Sequence, residues 1–167
     1  MYLFVFFWTP ALKAAQSHHD PANLPLGLIF ACFMASVMLG SLIFNQLVSK
    51  HQLISHAHLL TTTFLIASIA LIVPTVIKAT TPTFVSFCLF EVCVGIYFPS
   101  IGYLKGKHID DGIRARVYGM LRIPLNIFVV VALSLVREGD WYRNAVFGIC
   151  SGMLVGMATI FGWVVSG

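Results

Sequence analysis

Glu91 is the residue whose chemistry asks most for an explanation. It lies between Phe90 and Val92, near the middle of an apolar stretch, Pro82–Leu104, that no other charge interrupts. Placing a carboxylate at the centre of a membrane-spanning helix costs roughly 2.5–3.5 kcal/mol on insertion scales, so such a group is normally paired, protonated or turned towards water. Two readings stay open. Glu91 is either a neutral or salt-bridged group that fixes packing, or a cavity-lining group that carries a proton or partners a cavity base. Arg122 is its natural counterpart. It sits about a third of the way into a second apolar stretch, Ala115–Val136, just before Pro124. If the two stretches are adjacent antiparallel helices, a rise of about 1.5 Å per residue leaves the two groups offset by roughly 9 Å along the axis. Arg122 then either snorkels to the interface or presents a cation to a solute path. Asn126, one helical turn along, shares its face.

Other reactive types are sparse. His51, His56 and His58 cluster in HQLISHAH, and the pair His18 and His19 falls on the opposite side by an antiparallel count. A histidine-bound iron site needs more ligands on one side than this, so interfacial or loop roles are expected, with no bound metal and no cofactor. No Ser/His/Asp elbow, phosphate-cradling glycine loop or paired-carboxylate site is present, and catalysis is not expected. Cys32, Cys88, Cys93 and Cys150 all fall inside apolar runs. They read as small buried thiols, with neither a disulfide framework nor a zinc-type CxxC spacing.

The elements that position these groups follow from composition. Of 167 residues, 59% are hydrophobic and 10% charged, and the mean hydropathy is +0.92. About a quarter of a soluble domain is charged, so this chain is expected to be an integral membrane protein. The net charge of +4 does not indicate nucleic acid, because the basic residues stand singly or in small groups between apolar runs. A spanning helix needs about 20 mostly apolar residues. The expected spans are 1–15 (partial), 26–48, 57–77, 82–104, 115–136 and 145–166, forming one transmembrane bundle. The first run is short and broken by Pro10. It lacks the positive leading region of a signal peptide and reads as the later part of a spanning helix. The short connections suggest that successive helices are antiparallel neighbours. With 49–56 and 105–114 on the cytoplasmic side, Lys50, Lys105, Lys107, Arg114 and Arg116 stand against Lys13, Lys78, Arg137 and Arg143. That five-to-four split favours the assignment narrowly.

Pro10, Pro74, Pro99 and Pro124 lie within or close to the ends of spans. Each removes a backbone hydrogen bond, and broken helices recur around transporter binding sites. FWTP (7–10) in the first span is faintly echoed by YFPS (97–100) in the fourth, the spacing of a three-plus-three repeat. Gly148, Gly152 and Gly156 form a stripe suited to close helix packing, within the protein or against a partner. Gly27, Ala31 and Ala35 form a second stripe.

The segment GIYFPSIGYLK (95–105), with Lys107, Arg114 and LRIPLN (121–126), resembles the C-terminal half of the molybdate-anion transporter family of the major facilitator superfamily. FVFFWTP (4–10) resembles that family's seventh helix, and LGLIF (26–30) with MLGS (38–41) its eighth. The superfamily's usual Asp-Arg loop motif is absent after Gly40, where Phe44 and Asn45 stand instead.

The resemblance implies an all-α membrane fold, a six-helix C-terminal half with its first helix truncated. It also implies cytoplasmic placement of KGKHIDDGIRAR (105–116). The first and fourth helices would line a central cavity, putting Trp8, Glu91 and Tyr97 on or near the solute path. A tetrahedral dianion needs cations or convergent donors, which suits Arg122, Asn126, Tyr97 and Trp8. An ionised Glu91 would repel it, so Glu91 is either protonated and proton-coupled or neutralised by a base. The expected function is secondary transport of molybdate or a similar oxyanion by alternating access in the plasma membrane. The expected partners are the lipid bilayer, the oxyanion, and a missing N-terminal six-helix half or a second copy. The alternatives are a non-transporting six-helix fragment acting through helix association, and a His-dependent membrane metalloenzyme.

Overall fold

The computed structural model describes residues 2–16, 24–50, 56–77, 79–108, 111–134 and 140–166. These form six helices: α1 (Tyr2–Ala15), α2 (Leu26–Lys50), α3 (His56–Val76), α4 (Thr80–His108), α5 (Asp111–Ser134) and α6 (Asp140–Ser166). No strand occurs among the described residues. Leu26–Val48, His58–Val76 and Thr80–Gly106 are long and apolar enough to cross a membrane, whereas Tyr118–Val131 and Ala145–Ile160 are shorter apolar segments. Leu28, Met38, Ile69, Met120 and Trp163 are each more than half exposed on the outer surface. Apolar side chains on the outside are costly in water and natural in lipid.

The core is aromatic. Phe4 of α1 packs edge-on against Phe33 of α2 and Phe87 of α4, with ring centroids 5.7 and 5.1 Å away. Phe147 of α6 closes on Phe7 and Phe87 at 6.3 and 5.8 Å. Three of these four pairs are edge-to-face, a geometry that the ring quadrupoles favour at such distances. At the end of α1, the Thr80 hydroxyl at the start of α4 donates to the Ala15 carbonyl at 3.1 Å. That satisfies one of the carbonyls a helix end leaves unpaired.

The principal packing partners are α3 with α6, α2 with α4, and α3 with α4. This corrects the expectation from loop length. Among the described residues, α3 and α4 are the one consecutive pair that packs extensively. Surface fit selects the other partners.

The α2–α4 contact shows what that fit requires. A Cβ built on Gly40 would lie 2.9 Å from the Gly95 Cα and press on the Val92 carbonyl. One built on Gly95 would lie 3.0 Å from the Gly40 Cα and press on the Val37 carbonyl. The two backbones touch, and only hydrogen fits at either position. Pro99 adds a second constraint. A proline cannot donate to the carbonyl four residues back, which here belongs to Gly95. The Ser41 hydroxyl of α2 donates to that carbonyl at 3.4 Å. Gly40 therefore lets α2 approach, and Ser41 occupies the acceptor that Pro99 leaves free.

The α3–α6 contact is polar at its centre. The Ser68 and Ser151 hydroxyls lie 2.7 Å apart, and each also lies within 3.3 Å of the other residue's carbonyl oxygen. Both residues are buried, so the pair satisfies itself where water does not reach.

α5 differs from the other helices. Lys105 of α4 sits 4.8 Å from the centroid of the Tyr118 ring, a cation–π contact that holds the start of α5. Further along, every residue from Arg122 to Phe128 is exposed. Built Cβ atoms on Gly148, Gly152 and Gly156 meet nothing within 4 Å, and the same holds for Gly27. Both small-residue stripes face away from the described part of this chain.

Candidate functional site

Arg122 and Asn126 share one face of α5, as their four-residue spacing requires, and both are exposed. Pro124 lies between them inside the helix. The nearby side chains Ile123, Leu125 and Ile127 are also exposed and apolar. A guanidinium and an amide thus project together from an otherwise apolar surface. That pairing supplies a delocalised cation with several N–H donors and a neutral donor one turn away, a set suited to an oxyanion.

Glu91 lies elsewhere. It is 1% exposed, and its Oε2 has no hydrogen-bond partner. It stands four residues after Phe87 and four before Gly95, and so shares their row on α4. Phe87 meets Phe33 of α2 at 6.4 Å, and Gly95 abuts Gly40 of α2. Phe87 also meets Phe4 of α1 at 5.1 Å, so the row runs between α2 and α1. Ser36 and Cys32 of α2 lie close to Cys88, one turn before Glu91. Glu91 and Arg122 are not brought together: one is sealed in the interior of the bundle, and the other is exposed on α5. A buried polar atom without a partner costs about 1–3 kcal/mol, and Oε2 is such an atom.

The remaining expected site residues divide. Tyr97 is half-buried and lines a cavity of about 390 Å³ between α1, α3, α4, α5 and α6. Its ring lies 5.7 Å from Phe64. Trp8 is buried between helices, edge-on to Phe33 at 5.3 Å and stacked near Phe30 at 6.5 Å. Trp8, Glu91, Arg122 and Asn126 are not among the residues lining that cavity. His18, His19 and His51 lie outside the described residues, and His58 is exposed. Among the described residues, no group of three or more His, Cys, Asp or Glu side chains is arranged to hold a metal.

Sequence reading missed Gly40, Ser41 and Gly95 as a set, and the Ser68–Ser151 pair. Pro99 was a usable signal for the first, because a helix proline always frees the carbonyl four residues earlier. The serine pair has no comparable signal, since single serines in apolar runs usually bond their own helix.

Comparison with known proteins adds the family context. Residues 1–98 match the model of a family described as sugar transporters with twelve transmembrane helices. The molybdate-anion transporter of Takifugu rubripes is 34% identical over 147 residues, covering 84% of this chain and 28% of the relative. That of Xenopus tropicalis is 30% identical over 158 residues, covering 90% and 33%. That of Danio rerio is 32% identical over 171 residues, covering 93% and 34%. The chain spans about a third of the length of these curated relatives. No solved structure matches it.

Proposed function

The chain belongs to the major facilitator superfamily, within the twelve-helix transporter family that its residues 1–98 match, and from that premise we propose that it takes part in secondary transport of molybdate or a similar tetrahedral oxyanion by alternating access. The carrying observation is the Arg122–Asn126 pair on the uncovered face of α5. A dianion leaving water needs compensating charge and donors, and this pair offers both on either side of Pro124. The names of the relatives agree with an oxyanion as solute.

The open face of α5 is half of a solute path. The opposing wall comes from a second six-helix unit, supplied by a longer form of the protein or by another copy. Trp8 and Tyr97 act in this reading by shaping the helices beside the path. Glu91 of α4 acts as a proton-exchanging group in the buried interior, because its Oε2 is buried with no hydrogen-bond partner among the described residues. The site of action is the plasma membrane.

Uptake into proteoliposomes tests the reading. Labelled molybdate should accumulate and be displaced by excess sulfate, while glucose should neither enter nor compete. Glucose entry would transfer the site to a sugar, and entry of neither solute would support an association role without transport. In the same assay Glu91→Gln should flatten the dependence of uptake on external pH. An unchanged pH profile would remove Glu91 from the transport cycle and leave it as a packing residue.

A further inference from the structure

The cavity of about 390 Å³ is chemically unlike the Arg122–Asn126 face. Its walls include Ala67 and Leu71 of α3, Phe90 and Cys93 of α4, and Cys150 and Met153 of α6. None of its described lining residues is charged. Thr63 and Tyr97 bring hydroxyls to it, and the Thr63 hydroxyl is already donated to the Leu59 carbonyl at 2.7 Å. A dianion placed there would lose its hydration and gain almost no donors in return. The cavity is therefore not a second anion site.

Its proportions point to a different occupant. The lining residues on α6 run from Val146 to Met157, roughly 16 Å of helix rise. Those on α3 run from Thr63 to Leu71 and those on α4 from Phe90 to Phe98, roughly 12 Å each. Lining residues spread along that much of three helices make the cavity an elongated slot running beside them. Phe98, Leu125 and Met153 line the slot and are 49%, 47% and 54% exposed, so it opens to the outside between α4, α5 and α6. At the depth of spanning helices the surrounding medium is hydrocarbon. Apolar cavities exclude water and take up apolar molecules that fit them.

We propose that this slot is a binding site for the acyl chain of a membrane lipid, which enters between α4, α5 and α6 and lies along the helices against Ala67, Cys93 and Cys150. The occupant supplies the dispersion contacts that the empty slot lacks. It also lies between α5 and the rest of the bundle, where described side-chain contacts are few.

The test uses the full chain in phosphatidylcholine vesicles containing a lipid with a diazirine midway along one acyl chain. After irradiation, the labelled residues are mapped by peptide mass spectrometry. Leu28, Ile69 and Trp163 face outwards and should be labelled in any case, serving as the internal reference. Label is also expected on the inner slot wall, at Ala67, Cys93 or Cys150. Ala67→Phe and, separately, Cys150→Phe each fill the slot and should abolish wall labelling while the outward label persists. Wild-type label confined to the outward residues overturns the proposal, as does wall label that survives in both variants. If a variant does not fold, the wild-type distribution decides alone.

Discussion

Pro99 and Pro124 each lie inside a helix of this chain, and their surroundings are opposite. Around Pro99, α4 lies backbone to backbone with α2 through Gly95 and Gly40, and Ser41 bonds the carbonyl that the proline leaves free. Around Pro124, α5 presents an unbroken run of exposed side chains, including Arg122 and Asn126. The same backbone defect is thus built into a seam in one helix and left on an open face in the other. Shape fixes the first and permits no added atom. The second is arranged for something outside the described chain, and its polar groups are those suited to an anion.

The sharpest way to break the contrast is to add volume at the seam. Gly95→Leu would force α2 and α4 apart and leave the Gly95 carbonyl without Ser41. Overpacking alone typically costs about 1–3 kcal/mol and sometimes more, so a loss of folded protein is expected by size-exclusion chromatography and thermal unfolding. A variant with a wild-type unfolding midpoint would mean that the seam is not tight.

The open face should respond in function instead of stability. Arg122→Ala removes charged hydrogen bonds worth about 1.5–3 kcal/mol each, so molybdate uptake at low concentration should fall about tenfold or more. The unfolding midpoint should stay close to wild type, because Arg122 is exposed. Normal uptake would make Arg122 an interfacial anchor.

The smallest effect is expected on α6. Gly152→Ala adds a methyl group where nothing lies within 4 Å and alanine is the better helix former by up to about 1 kcal/mol, so no loss of stability is expected. A loss, measured by thermal unfolding at several protein concentrations, would reveal a partner helix on that stripe.

The helices were legible because membrane insertion demands continuous apolar runs, and those runs are visible residue by residue. α4 nevertheless extends to His108, past the expected Leu104. Helical hydrogen bonding continues into Lys105, Gly106 and Lys107 after the apolar pattern stops. Partner choice was much less legible. GxxxG spacing drew attention to α6, whereas the backbone contact lies at Gly40 and Gly95, single glycines on different helices. Nothing within one helix encodes which glycine elsewhere will oppose it. Glu91 could be located in a span from its neighbours, but the side it faces depends on the helices packed against α4. Arg122 could be placed on a face with Asn126 from spacing alone, because that relation is local.

The central claim is that the exposed face of α5 recognises a tetrahedral oxyanion. Thermal unfolding of the purified chain with and without molybdate tests it most directly. A ligand at a hundred times its Kd adds about 2.7 kcal/mol of stability, so the unfolding midpoint should rise with molybdate and should not rise with glucose. A midpoint that molybdate leaves unchanged, or that glucose raises instead, would contradict the account.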